Sequence, residues 1–90
     1  MTLVLDASAF FVDVPVDGPA WTTPSVVDEL VDFHAKCRFT ALSAAGLSVR
    51  EPRREDLLQV DEAARQTGDA GVLSVTDREI LALALELGAV

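Results

Sequence analysis

The stretch VLDASAFF, Val4–Phe11, sets one acid between two apolar runs. Thr2–Leu5 is rich in β-branched and aliphatic side chains and reads as a short buried strand. Asp6 therefore falls at the carboxyl end of that strand, where a charge in apolar surroundings is costly unless something is bound to it. In a parallel α/β sheet, sites form at such strand ends and at the starts of the helices that follow. Asp6 is thus the first candidate site residue.

Working outward, Ser8–Phe11 can begin a helix, and VDVPVDGPA (Val12–Ala20), with its prolines and glycine, reads as a loop. Thr23 is placed to cap a helix whose first position is Pro24, where a missing N–H costs nothing. The expected helix runs from Pro24 to about Lys36, and Arg38–Ala45 continues helical until Gly46. Leu47–Glu51 (LSVRE) has strand character between Gly46 and Pro52. Pro52 opens a segment whose Leu57, Leu58, Val60 and Ala64 form an uneven apolar stripe that ends at Gly68. The last helix, VTDREILALALELG, ends at Gly88. From Ile80 to Leu87 it is apolar apart from Glu86, which predicts a helix sandwiched in the interior. Alternating strands and helices give an α/β fold with a parallel sheet. A helix followed by glycine should lead into another strand, so the end at Ala89–Val90 is read as a chain cut short or an unusually compact one.

Ninety residues suit one domain, and a 50% hydrophobic composition supplies a core. No apolar run approaches the roughly 18 residues of a membrane span, and no basic region precedes a signal core. These features predict a protein of the cytoplasm with no membrane partner. One cysteine, Cys37, excludes an internal disulfide and a cysteine-rich zinc site within these residues, and it reads as a buried small hydrophobe. The net charge of −8 disfavours a long unaided nucleic-acid footprint, since phosphate contacts draw on basic surface. Acids clustered around metal ions, or a surface adapted to high salt, both remain open. Gly68 and Gly71 are too isolated for a phosphate-binding fingerprint.

Two further carboxylates join Asp6. Asp77 lies in the first turn of the last helix, capped by Ser74 or Thr76, and TDRE (Thr76–Glu79) fits a capping box; an acid serving the helix dipole is the competing role. On a helical wheel, Val27, Leu30, Val31 and His34 share the apolar face, Asp28 and Asp32 point away, and Glu29 lies at the margin. Glu29 can therefore reach inward, with an exposed salt-bridging role as the alternative. Carboxylates far apart in sequence but converging in a fold suit Mg²⁺ or Mn²⁺, hard ions that take oxygen ligands and keep several waters. Like charges crowded without a cation would repel. The chemistry implied is phosphodiester hydrolysis. Ser8 can hydrogen-bond a ligand carboxylate or cap a helix. Asp61 and Asp69 read as solvated acids, and His34 as a packed core residue.

VLDASAFF, TTPSVVDEL and LSVTDREILALALEL, in this order, resemble the signature of the PIN-domain ribonucleases, and the likeness spans nearly the whole chain. TGDAGVLSVTDREILALALELG is most similar to the archaeal Nob-type endonucleases, which mature the three-prime end of small-subunit ribosomal RNA. The resemblance implies a three-layer PIN-like α/β fold with a parallel sheet flanked by helices, residues 1–90 forming one nuclease domain truncated at its C-terminal end. It implies Asp6, Glu29 and Asp77 as catalytic metal ligands, Ser8 assisting beside Asp6, Mg²⁺ or Mn²⁺ as cofactor, and single-stranded precursor ribosomal RNA in the small-subunit precursor as partner. A fourth acid and a zinc ribbon, expected after the next strand, would lie beyond Val90. Lys36, Arg38, Arg50, Arg53 and Arg54 are the candidate RNA contacts, with ordinary surface solubility as the alternative. Competing functions are a toxin-type PIN ribonuclease, against which the LALALEL helix and TGD turn argue, and a non-catalytic PIN-like module that binds a protein.

Overall fold

Strand formation at the N-terminus follows the β-branched and aliphatic run. In the computed structural model, which describes residues 2–12, 18–68 and 71–88, β1 is Leu3–Val4. A 3₁₀ turn, Ala7–Phe10, follows directly. The remaining elements are β2 (Ala20–Thr22), α1 (Pro24–Glu29), α2 (Phe33–Ala44), β3 (Ser48–Val49), α3 (Arg54–Thr67) and α4 (Val75–Leu87). The strands form a parallel sheet in the order β1-β2-β3, flanked by helices. Leu3 pairs with Ala20 and Val4 with Trp21, while Trp21 pairs with Ser48 and Thr22 with Val49. The ladder runs past the strand ends, with Leu5 N donating to Trp21 O at 2.8 Å and Arg50 N to Thr22 O at 2.9 Å. Thr22, fully buried, donates its hydroxyl to Leu5 O at 2.8 Å, so the central strand carries a polar side chain without an unmet hydrogen bond.

The segment Val12–Ala20 was expected to be loop throughout, and β2 corrects its last residue and adds Trp21 and Thr22. Residues 13–17 of that segment lie outside the described residues. The single helix expected from Pro24 to Lys36 is two. Leu30 leaves the helix at φ −81°, ψ 88°, and Asp32 restarts it as an N-cap, its carboxylate accepting from Ala35 N at 3.2 Å. Thr23 does cap α1, accepting from Val26 N, with Pro24 at the first helical position. Because the chain turns at residues 30–32, the wheel drawn through it no longer holds: Leu30 is buried, but Val31 and Phe33 are exposed. His34 is exposed too, its ring edge-on to Phe33, and Cys37 is exposed rather than packed inside.

The core gathers Phe10, Val26, Leu30 and Ala35, against which Leu5, Phe39, Leu42, Leu47 and Ile80 pack. Phe10 and Phe39 meet edge to face with ring centres 5.9 Å apart, a favoured aromatic geometry. Ala82 and Leu83 of α4 are fully buried, but Leu81 and Leu85 are about half exposed. The helix therefore buries one side rather than being sandwiched. Gly68 and Gly88 end α3 and α4 in the left-handed conformation, at φ 79° and 61°, which glycine adopts without steric cost. Two ion-paired contacts bind the C-terminal helices. Arg78 holds Asp61 of α3 through two hydrogen bonds, of 2.6 and 2.8 Å. Glu86 accepts from Arg53 N at 2.9 Å, meeting an orphan donor at the start of α3.

Candidate active site

Asp6 follows β1 at the head of the 3₁₀ turn and is exposed, so it does not carry the burial cost inferred from its apolar neighbours. The strand has already ended at Val4, and the chain turns the acid outward. Ser8 Oγ donates to Asp6 Oδ1 at 2.6 Å. A carboxylate has about four lone-pair sites, so this bond fixes the group while leaving acceptor capacity.

Glu29 is the last residue of α1 and is exposed. Thr76 Oγ1 of α4 donates to its Oε1 at 2.8 Å. A second bond joins the same helices: Ser25 Oγ donates to Glu79 Oε2 at 2.5 Å. Asp77 stands next to Thr76 in the first turn of α4. The capping box there is formed by Ser74 and Asp77 and not by Thr76 and Glu79. Asp77 N donates to Ser74 Oγ at 3.0 Å, and Ser74 N to Asp77 Oδ2 at 3.4 Å. Asp77 thus serves its helix start, and its negative charge suits the positive end of the helix dipole.

Glu29 is accordingly tied to the first turn of α4 through Thr76, the residue before Asp77 in sequence. Asp6 follows β1, a strand that packs against α4, and its carboxylate accepts from Ser8. Among the described residues, no group of three or more His, Cys, Asp or Glu side chains could by itself hold a metal ion. The donors are nevertheless the right kind for Mg²⁺ or Mn²⁺. Such ions are commonly held by one or two carboxylates, with waters and substrate phosphate filling the shell, so three direct protein ligands are not required.

The candidate RNA-contacting cations divide into two groups. Lys36 and Arg38 lie on α2; Arg50, Arg53 and Arg54 lie between β3 and the first turn of α3. Arg50 Nη2 approaches Glu86 Oε2 to 2.5 Å, an ion pair outside hydrogen-bond geometry, and its guanidinium sits 5.9 Å from the centre of the Trp21 ring. Arg53 donates through Nε to the buried Asp56 at 2.8 Å. That hydrogen bond holds its pKa above the ordinary guanidinium value. Arg50 and Arg53 therefore have intramolecular acids to satisfy, and Lys36, Arg50, Arg53 and Arg54 are all exposed. Asp61, expected to be solvated, is paired with Arg78, and Asp69 lies outside the described residues. Ser25 is not singled out from the sequence and Thr76 is read there only as a helix cap, because a hydroxyl reaching an acid 54 or 47 residues away leaves no local pattern.

A family model described as the PIN domain of ribonuclease matches residues 3–87. The chain is 42% identical over 90 residues to "Endoribonuclease Nob1" of Pyrococcus abyssi, covering 99% of this chain and 55% of that protein. It is 42% identical over 67 residues to the "20S-pre-rRNA D-site endonuclease nob1" of Schizosaccharomyces pombe, covering 74% of this chain and 17% of the relative. It is also similar to "Ribonuclease VapC3" of Aeropyrum pernix, 36% identical over 88 residues, or 94% of this chain and 63% of that one. The chain spans about half the length of the archaeal Nob1 proteins it matches.

Proposed function

This chain belongs to the PIN-domain family of ribonucleases, and we propose that it is a metal-dependent endoribonuclease acting on single-stranded precursor ribosomal RNA, maturing the three-prime end of the small-subunit RNA. The observation that carries the reading is the Thr76–Glu29 hydrogen bond, which ties an acid at the end of α1 to the first turn of α4, the turn that carries Asp77. Relatives named as a pre-rRNA D-site endonuclease support the substrate class. Asp6, Glu29 and Asp77 would hold Mg²⁺ or Mn²⁺, directly or through water. When bound, such an ion would lower the pKa of a water and offset charge on a phosphodiester.

The chain's own residues prepare this site. Ser8 orients the Asp6 carboxylate, and the capping box fixes the backbone from which Asp77 projects. Lys36, Arg38, Arg50, Arg53 and Arg54 are the basic residues assigned to RNA phosphates, and Arg50 and Arg53 would first have to give up their acidic partners. No helix among the described residues is long and apolar enough to cross a membrane, and the reading places the protein in the cytoplasm with the small-subunit precursor. A second reading, a toxin-type ribonuclease cutting another RNA, is favoured by the 36% identity to "Ribonuclease VapC3".

The test is Mn²⁺-dependent cleavage of an RNA spanning the small-subunit three-prime junction, beside an unrelated single-stranded RNA, with Asp6→Asn as control. Cutting at one position of the junction RNA, lost in the variant, is expected. Equal cutting by the variant would remove Asp6 from the site. Preference for the unrelated RNA would favour the toxin-type reading.

A further inference from the structure

We infer that Thr76 is a positioning residue for Glu29, acting through a two-bond clasp between α1 and α4. The inference rests on the reading of Glu29 as a metal-site carboxylate. Each helix offers the hydroxyl at its second position to an acid of the other: Ser25 of α1 donates to Glu79, and Thr76 of α4 donates to Glu29. Neither hydroxyl is engaged in capping its own helix, because Thr23 caps α1 and Ser74 caps α4. A helical Ser or Thr ordinarily turns its hydroxyl back to a carbonyl three or four residues earlier. At the second position those carbonyls precede the helix, and the two side chains instead reach across to each other's helix.

Glu29 needs such a partner. It is exposed, with a flexible side chain, on the last residue of α1 before the chain breaks direction at Leu30. Holding that side chain in one rotamer without a contact would cost conformational entropy that nothing offsets. The Thr76 bond engages Oε1, and Oε2 remains for a ligand. Ser25 and Glu79, farther from the carboxylate, fix the spacing of the two helices so that the Thr76 bond can form. Partners that orient a ligating carboxylate from outside the coordination shell commonly set metal affinity by 10–100-fold.

The experiment titrates the 90-residue chain with Mn²⁺ alone, counting free ion by electron paramagnetic resonance, for the parent, Thr76→Val, Thr76→Ala, Thr76→Ser and Glu29→Gln. Circular dichroism confirms that each variant folds, and the alanine variant carries the test should the branched one fail to fold. The expected result is about tenfold weaker Mn²⁺ binding in Thr76→Val and Thr76→Ala, the lower end of that range, with Thr76→Ser close to the parent. Parent-like binding in the valine and alanine variants, with binding lost in Glu29→Gln, overturns the positioning role and leaves the metal reading standing. Equal loss in serine, valine and alanine variants also overturns it, since the hydroxyl would not be what matters. Parent-like binding in Glu29→Gln overturns the metal-site reading of Glu29 itself, and the inference with it.

Discussion

Asp77 has two roles to fill, a structural one seen in the capping box and a ligating one proposed for it, and the substitution Asp77→Asn separates them. The asparagine carbonyl can still accept from Ser74 N, and that bond is long, at 3.4 Å. What is lost without metal is mainly a negative charge at an exposed helix start, worth about 0.3–1 kcal/mol. For a domain of this size, 1 kcal/mol moves the melting temperature by roughly 4–8 °C, so the metal-free variant should melt about 1–8 °C lower. Ser74→Ala, which removes the N-cap oxygen that accepts from Asp77 N at 3.0 Å, should cost about 1 kcal/mol and lower melting by at least as much. Mn²⁺ at about 100 times its dissociation constant should add about 2.7 kcal/mol to the parent, a rise of 10 °C or more. Thermal unfolding followed by circular dichroism, with and without Mn²⁺, reads all of these. The expected pattern is a crossover: Ser74→Ala keeps the Mn²⁺ rise, and Asp77→Asn loses most of it. A rise of parental size in Asp77→Asn refutes a ligating role for this carboxylate.

Leu83 is fully buried, so Leu83→Ala should cost about 2–5 kcal/mol in urea unfolding, while Leu81→Ala, at a half-exposed position of the same helix, should cost less than about 1; equal costs would contradict the one-sided burial of α4. Glu86→Gln keeps the acceptor for Arg53 N but removes the charge facing Arg50. The Glu86 side chain is 4% exposed and that of Arg50 45%, so Arg50 can return to water and the cost should fall to about 1–2 kcal/mol, below the 3–5 of a fully buried broken pair; a urea midpoint unchanged from the parent would refute the pairing. Cys37 is an exposed thiol and should react with a thiol reagent in the native protein at nearly the rate seen in denaturant; strong native protection would refute its exposure.

The parts of the fold legible in the sequence are those whose causes are local. Thr23 and Pro24 announce α1, and Gly68 and Gly88 announce the ends of α3 and α4, because capping and left-handed conformations act within a few residues. β2 was missed since three residues behind a proline- and glycine-rich segment gain their strand geometry from partners at Leu3–Val4 and Ser48–Val49. The break at Leu30 did leave a signal: Asp32 is a good N-cap residue, but the apolar periodicity running through Val31 and Phe33 outweighed it. Asp6 and Glu29 enter the candidate site from a strand end and a helix margin, although the wheel behind Glu29 runs through the break at Leu30. The argument from burial at Asp6 failed because an apolar neighbour in sequence need not be a neighbour in space. The hydroxyls that join α1 to α4 depend wholly on tertiary packing.

The short parallel sheet also bears on the order in which the molecule assembles. β1 meets β2 and β2 meets β3 only after the chain has closed on itself across 17 and 27 residues, counted from Leu3 to Ala20 and from Trp21 to Ser48. Those closures are rewarded by few ladder bonds, since the three strands are only two or three residues long. Helices α3 and α4 instead follow one another directly, and the Asp61–Arg78 contact closes a loop already shortened by the helices themselves. Loop-closure entropy therefore favours a C-terminal helical hairpin in place before the strands register. The sheet that leads into Asp6 is then the late-arriving half, and two acids proposed for the site, Asp6 and Asp77, belong to segments that this order separates.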